Sequence, residues 1–178
     1  GANYNRYWSQ EGDLRSWDLD AELDLVFRNH FEIEVEVVEE FKVFEKEFRN
    51  DRVVLSAEWD SRAGQEVSVF AGSGVNFDSD LVLYGAEVAW AFDFPLQVYY
   101  SATRLELDPD PNQGTTWIHV LEGTYFFNPD LFLKLFFQTN SAIDKVNVQT
   151  VGVWRFKPPF GSLQVAYHHG SSEIGRVS

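Results

Sequence analysis

A chain of 178 residues with 28 acidic against 14 basic residues, a net charge of -14, no cysteine and 16% aromatic residues is long enough for one domain with a large covered surface. Nucleic acid is excluded as a partner, because phosphate binding needs a basic footprint, and disulfide scaffolds and thiolate metal sites are excluded by the missing cysteine. No apolar run approaches the roughly 18 residues of a membrane helix.

The sequence begins with neither Met nor a charged-then-apolar leader, which predicts a start after processing or inside a longer gene product. Acidity is concentrated early. Residues 1–60 hold 16 acidic against 7 basic residues, which is -9 of the total -14. Residues 1–15 show no clear strand pattern and read as an N-terminal extension; residues 16–178 read as one β domain.

From Trp17 onward the dominant signal is period-two alternation, the mark of strands with two unlike faces. Trp17, Leu19, Ala21, Leu23, Leu25 and Phe27 alternate with Asp18, Asp20, Glu22 and Asp24. After the turn Arg28-Asn29-His30, the residues Phe31, Ile33, Val35 and Val37 alternate with Glu32, Glu34 and Glu36. A three-residue loop sets Phe27 against Phe31, Leu25 against Ile33 and Leu23 against Val35, so all apolar residues share one face. The same register sets Asp24 against Glu34 and Glu22 against Glu36. Like charges across a ladder are destabilising, so that face must be wet, bind cations or meet bases from another wall. Phe41, Phe44 and Phe48 are ambiguous, since they would also share a helical face.

Further strands follow at Val53–Trp59, Val67–Ala71, Val82–Phe92 and Leu96–Ala102, then at Leu121–Phe127, Leu131–Phe137, Val146–Phe156 and Leu163–Tyr167. Asp93-Phe94-Pro95 and Asn128-Pro129-Asp130 read as tight turns, while residues 106–115 read as a long link. Short turns at one end and long loops at the other are the habit of outer-membrane barrels. Phe27, Phe31, Phe92, Phe94, Phe127, Phe156 and Phe160 gather near the tight-turn end, and with Trp17, Trp90 and Trp154 they make candidate membrane-interface aromatics.

The pattern predicts an all-β, antiparallel, up-and-down transmembrane β-barrel of about ten strands, or a fragment of a larger one. Asp18, Asp20, Glu22, Asp24, Glu32, Glu34 and Glu36 would form an acidic ladder in its lumen, with Lys134 and Arg155 as lumen bases. Such an interior favours cations. The predicted place is the bacterial outer membrane, the predicted partner is lipid, and the predicted role is a passive or partner-gated channel or scaffold. A soluble barrel binding an apolar ligand is the alternative, because alternation alone marks any half-covered sheet. Against it, the apolar face is too rich in Trp, Phe and Leu to fit inside one small barrel, and Gly72, Gly74, Gly85, Ala89 and Ala91 on the polar face suit a crowded interior. A third reading is a non-conducting scaffold subunit of a larger surface complex.

Catalysis is not expected. His30 sits in a turn, His119 is isolated, and His168 and His169 point to opposite faces, so they cannot jointly hold a metal. Asp108-Pro109-Asp110 could catch Ca²⁺ but lacks EF-hand spacing, and no glycine motif cradles phosphate. No metal or cofactor is expected.

Two stretches carry a resemblance: "TYFFNPDLFLKLFFQTNS" from Thr124 to Ser141, and "VGVWRFKPPFGSLQVAYHHG" from Val151 to Gly170. They resemble the C-terminal barrel of large uncharacterised outer-membrane proteins whose N-terminal part is a carbohydrate-binding-family-9-like domain. Tyr125, Phe127, Pro129, Asp130, Leu131, Phe132, Gln138, Asn140, Ser141, Trp154, Arg155, Phe156 and Pro158 match, clearly over residues 115–170. Phe41 to Phe48 resembles that family's Phe-Glu-rich strand. The resemblance implies fold and location, and one more strand beyond Ser178. It carries neither an activity nor, without the sugar-binding-like domain, sugar binding. An unclosed barrel leaves unpaired backbone groups in lipid. Another chain, or a further part of the same chain, is therefore expected to complete it, with an open edge at Trp17–Phe27 or Leu163–Tyr167.

Overall fold

The computed structural model describes residues 1–109, 115–143, 145–157 and 161–170. Phe160, Asp110, Pro158 and the end at Ser178 lie outside the described residues. Eleven strands form one antiparallel, up-and-down sheet whose neighbours follow chain order. They are β1 (Ala2–Trp8), β2 (Leu14–Val26), β3 (Phe31–Val43), β4 (Glu47–Asp60), β5 (Gln65–Asn76), β6 (Ser79–Ala91), β7 (Leu96–Asp108), β8 (Thr116–Asn128), β9 (Leu131–Asn140), β10 (Lys145–Lys157) and β11 (Gly161–Gly170).

The all-β meander expected from alternation is the fold, with one strand more than the ten expected. The extra strand corrects the reading of residues 1–15 as an extension, because β1 pairs with β2 from Ala2↔Ala21 to Trp8↔Leu14. Trp17–Phe27 is therefore not an open edge. Phe41, Phe44 and Phe48 belong to a hairpin, not a helix: β3 runs through Phe41, the turn is 44–46, and Phe48 stands on β4. Every connection except 9–13 and 109–115 has four residues or fewer. Loops at the two ends thus do not separate cleanly into the short and long sets that the sequence pattern predicts.

Turn chemistry accounts for several corners. At 27–30 the Phe27 N–H donates to the Phe31 carbonyl at 2.8 Å, and His30 takes a φ of 64°. At 129–130 the Asn128 side-chain oxygen accepts the Asp130 N–H at 2.9 Å, the self-capping that suits Asn to turns. The two-residue turn Phe77-Asp78 has positive φ at both positions, as tight hairpins require. Its Phe77 ring packs against Phe48 and Phe44, with centroids 5.0 and 6.0 Å away.

The strands gather into two compact units. The first holds Gly1–Trp59, Ser68–Gly85 and Arg104–Thr115; the second holds Asp60–Val67, Ala86–Thr103 and Thr116–Ser178. In the first, rows on one face run Ala2–Ala21–Val37–Val53, Leu23–Val35–Leu55 and Leu25–Ile33–Ala57. In the second, one face carries Leu131–Trp154–Leu163 and Tyr125–Leu133–Gly152–Val165. Gly74 is required where β5 closes on β4, since a Cβ there would collide with the Asp51 carbonyl oxygen and come within 2.7 Å of the Arg52 Cα.

Neither unit has an ordinary core. Among the described residues no large side chain is fully buried, and the covered apolar residues are Val38, Phe41, Leu81, Phe132 and Val153. Register places Val38 among the acids of β2–β3, and Phe132 and Val153 beside Lys134 and Arg155. Leu81 shares its face of β6 with Glu87 by parity. Four of the five best-covered apolar residues therefore lie on the polar face. The apolar face is the uncovered one, with Leu23, Leu55, Val69, Phe127, Trp154, Val165 and many others exposed.

Candidate functional site

The polar face of the first unit is built from the acidic ladder. The observed register is Asp24↔Glu34, Glu22↔Glu36, Asp20↔Val38 and Asp18↔Glu40 across β2–β3, then Glu32↔Glu58 and Glu34↔Ser56 across β3–β4. All seven predicted acids thus share one face, in the predicted register. Carboxylate oxygens of Glu22, Asp24 and Glu34 lie within 4.8 Å of one another. Acids so close repel, and exposed clusters of this kind are a source of local field rather than a metal centre by themselves.

Compensation begins farther along the ladder. Lys42 Nζ lies 2.8 Å from Glu40, and Arg52 reaches Glu36 at 3.5 Å. Asn5 donates to Asp18 at 2.7 Å, and the buried Asn50 donates to Glu40 at 3.3 Å while accepting the Phe77 N–H at 2.8 Å. Alternation in Val53–Trp59 already sets Glu58 on the polar face, whereas Glu40, Lys42, Arg52 and Asn50 are not evident from the sequence as members of it. Parity carried past Glu36 would have found Glu40, but the doublets Val37-Val38 and Glu39-Glu40 hide the alternation there.

In the second unit, the predicted bases Lys134 and Arg155 do share the polar face of β9–β10. Lys134 Nζ stands 5.7 Å and the Arg155 guanidinium 5.2 Å from the centroid of the Phe132 ring, a cation–π arrangement. That ring is only 6% exposed and lies 5.5 Å from Phe126. Bulky residues therefore occupy this wall beside the charges. Acids are present as well: Tyr99 donates its hydroxyl to Glu87 at 2.9 Å, and a recess of about 170 Å³ is lined by Glu122, Thr124, Lys134 and Gln149.

Aromatic residues bound the apolar face. At the tight-turn end of the first unit stand Phe27, Phe31 and, opposite Phe31, Trp59. At the corresponding end of the second stand Trp90, Phe92, Tyr125, Phe127, Trp154 and Phe156, several in ring contact. Trp17 is different from the rest of the predicted set. It lies ten residues from Phe27 at the far end of β2, beside Tyr4 and opposite Arg6 and Phe41. Beyond Val37 and Val53 the apolar run of β3–β4 ends, where Glu39 faces Asp51. The second unit repeats the spacing, with Trp117 ten residues from Phe127 and stacked on His119 at 5.7 Å.

The histidines keep apart. His119 shares a 2.9 Å hydrogen bond with the Tyr100 hydroxyl on the apolar face, while His168 and His169 sit opposite Gln149 and Val148 on opposite faces.

No protein-family model matches this sequence, and no curated protein matches it. Among solved structures it is similar to a KdgM porin in complex with disordered oligogalacturonate, at 11% identity and a TM-score of 0.43, over 97% of this chain and 92% of that one.

Proposed function

We propose that this chain is the wall of a non-enzymatic β-barrel in a bacterial outer membrane, with lipid against its apolar face and an acidic, cation-favouring lumen at its polar face. One observation carries the reading: the apolar face is largely exposed and bounded by aromatics, while four of the five best-covered apolar residues accompany the charges on the other face. A soluble barrel has the reverse arrangement, with the apolar face covered.

The dimensions support it. Ten residues separate Trp17 from Phe27 and Trp117 from Phe127, which is roughly 34 Å along an antiparallel strand. At a tilt of about 45° that projects to roughly 24 Å, close to the apolar band of an outer-membrane barrel. On β2 the interval holds Leu19, Ala21, Leu23 and Leu25, with Trp17 at one limit beside Tyr4 and Arg6 and Phe27 at the other, residue types that favour bilayer interfaces; on β3–β4 the apolar run is shorter, because Glu39 and Asp51 stand level with Leu19.

The acids of β2–β4 set the selectivity. Their crowding raises local cation concentration, and Lys134 and Arg155 weaken that field without cancelling it. Reversal potential across a planar bilayer under a salt gradient tests this, and anion selectivity would refute the inward placement of the acids. A second reading, a filled scaffold that does not conduct, is favoured by the bulk of Phe126, Phe132 and Val153 on the polar face. Protein that enters bilayers without conductance would support the scaffold.

A further inference from the structure

Midway along β8, five residues from both Trp117 and Phe127, Glu122 stands on the polar face. Three rows of that face cross β8, β9 and β10 here: Phe126–Phe132–Val153, then Thr124–Lys134–Val151, then Glu122–Phe136–Gln149. The last two rows line the recess of about 170 Å³, in which Glu122, Thr124, Lys134 and Gln149 are the polar members. A second recess of about 290 Å³ shares Glu122 and Thr124 and continues past Ala89, Ala91, Gln97 and Tyr99.

The two charges in the first recess do not meet. Glu122 and Lys134 stand diagonally across the β8–β9 ladder, about 7–8 Å apart, and neither forms an ion pair with any described residue. The Lys134 ammonium instead stands 5.7 Å from the centroid of the Phe132 ring, which belongs to the row on the side away from Glu122. Glu87, the other carboxylate near Tyr99, already accepts the Tyr99 hydroxyl. A cation entering the recess would be held by Glu122 and repelled by Lys134, and an anion would meet the reverse. A molecule carrying both charges satisfies both. In an α-amino acid the ammonium nitrogen and the carboxylate carbon lie about 2.5 Å apart. A charge-assisted hydrogen bond at each end adds about 2.8 Å, so the bound molecule spans about 8 Å from partner to partner. That span fits a diagonal pair and not a directly opposed one, whose separation is about 4.5–5.5 Å.

We propose that this recess binds the zwitterion of an α-amino acid, with its ammonium on Glu122, its carboxylate on Lys134 and the Thr124 hydroxyl, and its side chain directed into the second recess. The proposal rests on the reading of the polar face as a lumen and names a solute class for it. Both charged side chains are exposed, so water screens the contacts and the affinity falls in the millimolar range. Weak binding suits a solute that must leave as readily as it enters.

The test titrates the intact folded protein in detergent micelles with L-alanine and follows amide chemical shifts. The expected result is a saturable shift at residues 122, 124, 134 and 149. L-Alaninamide keeps only the ammonium and N-acetyl-L-alanine only the carboxylate, and each should bind about tenfold more weakly. Lys134→Met should bind L-alanine no better than L-alaninamide, and Glu122→Gln no better than N-acetyl-L-alanine. N-Acetyl-L-alanine binding as tightly as L-alanine would overturn the proposal in favour of an anion site on Lys134 and Arg155. Equal binding of L-alaninamide would overturn it in favour of a cation site on Glu122, and the absence of any saturable shift would overturn it outright. Liposome flotation and conductance, measured on the same preparation, report on the channel reading separately. Protein that binds L-alanine but does not conduct would refute the channel and leave the site standing, whereas conducting protein without the shift would refute the site alone.

Discussion

Leu23 and Asp24 are neighbours in sequence, yet the two-face assignment gives them opposite environments. Leu23 sits opposite Val35 in the middle of the apolar run and is 59% exposed. Leu23→Ala removes three carbons, worth about 2.4 kcal/mol if wholly transferred from an apolar medium at about 0.8 kcal/mol each. Scaling by the 59% that faces outward leaves a destabilisation of about 1.4 kcal/mol from the smaller area shielded by lipid. Leu23→Arg should cost roughly 2–4 kcal/mol, the range for a midplane charge on a barrel. Were this face in water, both changes would stay within about 0.5 kcal/mol of the parent. Asp24→Asn should act in the other direction, because it removes one member of the Asp24–Glu34 pair, and relief of such a pair is worth up to about 1 kcal/mol. The assay is reversible folding into phospholipid vesicles across a urea series, followed by tryptophan fluorescence. Equal sensitivity at Leu23 and Asp24, or indifference to Leu23→Arg, would refute the assignment.

Other positions test the remaining interactions. Gly74→Val drives a side chain into the β4 backbone at Asp51 and Arg52 and should cost about 1–3 kcal/mol; an unchanged urea midpoint would show that β5 does not approach β4 so closely. Asn50→Ala strips the acceptor from the Phe77 N–H, so a loss of about 1–3 kcal/mol is expected, together with faster amide exchange at Phe77. Combining Glu22→Gln with Glu34→Gln should move the reversal potential of a conducting protein toward zero, and an unmoved potential would place the ion path elsewhere.

Much of the fold is legible in the sequence because the informative signals are local. In β2–β3 alternation fixes which residues share a face, and the length of the Arg28–His30 loop fixes the register, so Leu23↔Val35 and Asp24↔Glu34 follow from the residue order alone. Turns rich in Asn, Pro and Asp announce themselves for the same reason. What stayed hidden depends on neighbours in space. β1 reads as Ala-Asn-Tyr-Asn-Arg-Tyr-Trp, with aromatics on both faces and Asn between, and it becomes a strand only by pairing with β2. Phe41 through Phe48 satisfied two periods at once, and ladder partners on β2 and β4 decided between them. The need for Gly74, the link from Asn50 to Phe77, and the covering of Phe132 between Lys134 and Arg155 likewise join segments distant along the chain. The sequence by itself determined two unlike faces and their registers, because side-chain direction follows from strand geometry alone. Only the tertiary structure decided that most of the best-covered residues, Val38, Leu81, Phe132 and Val153, lie on the charged face, because burial depends on which segments come together and not on the pattern along any one of them.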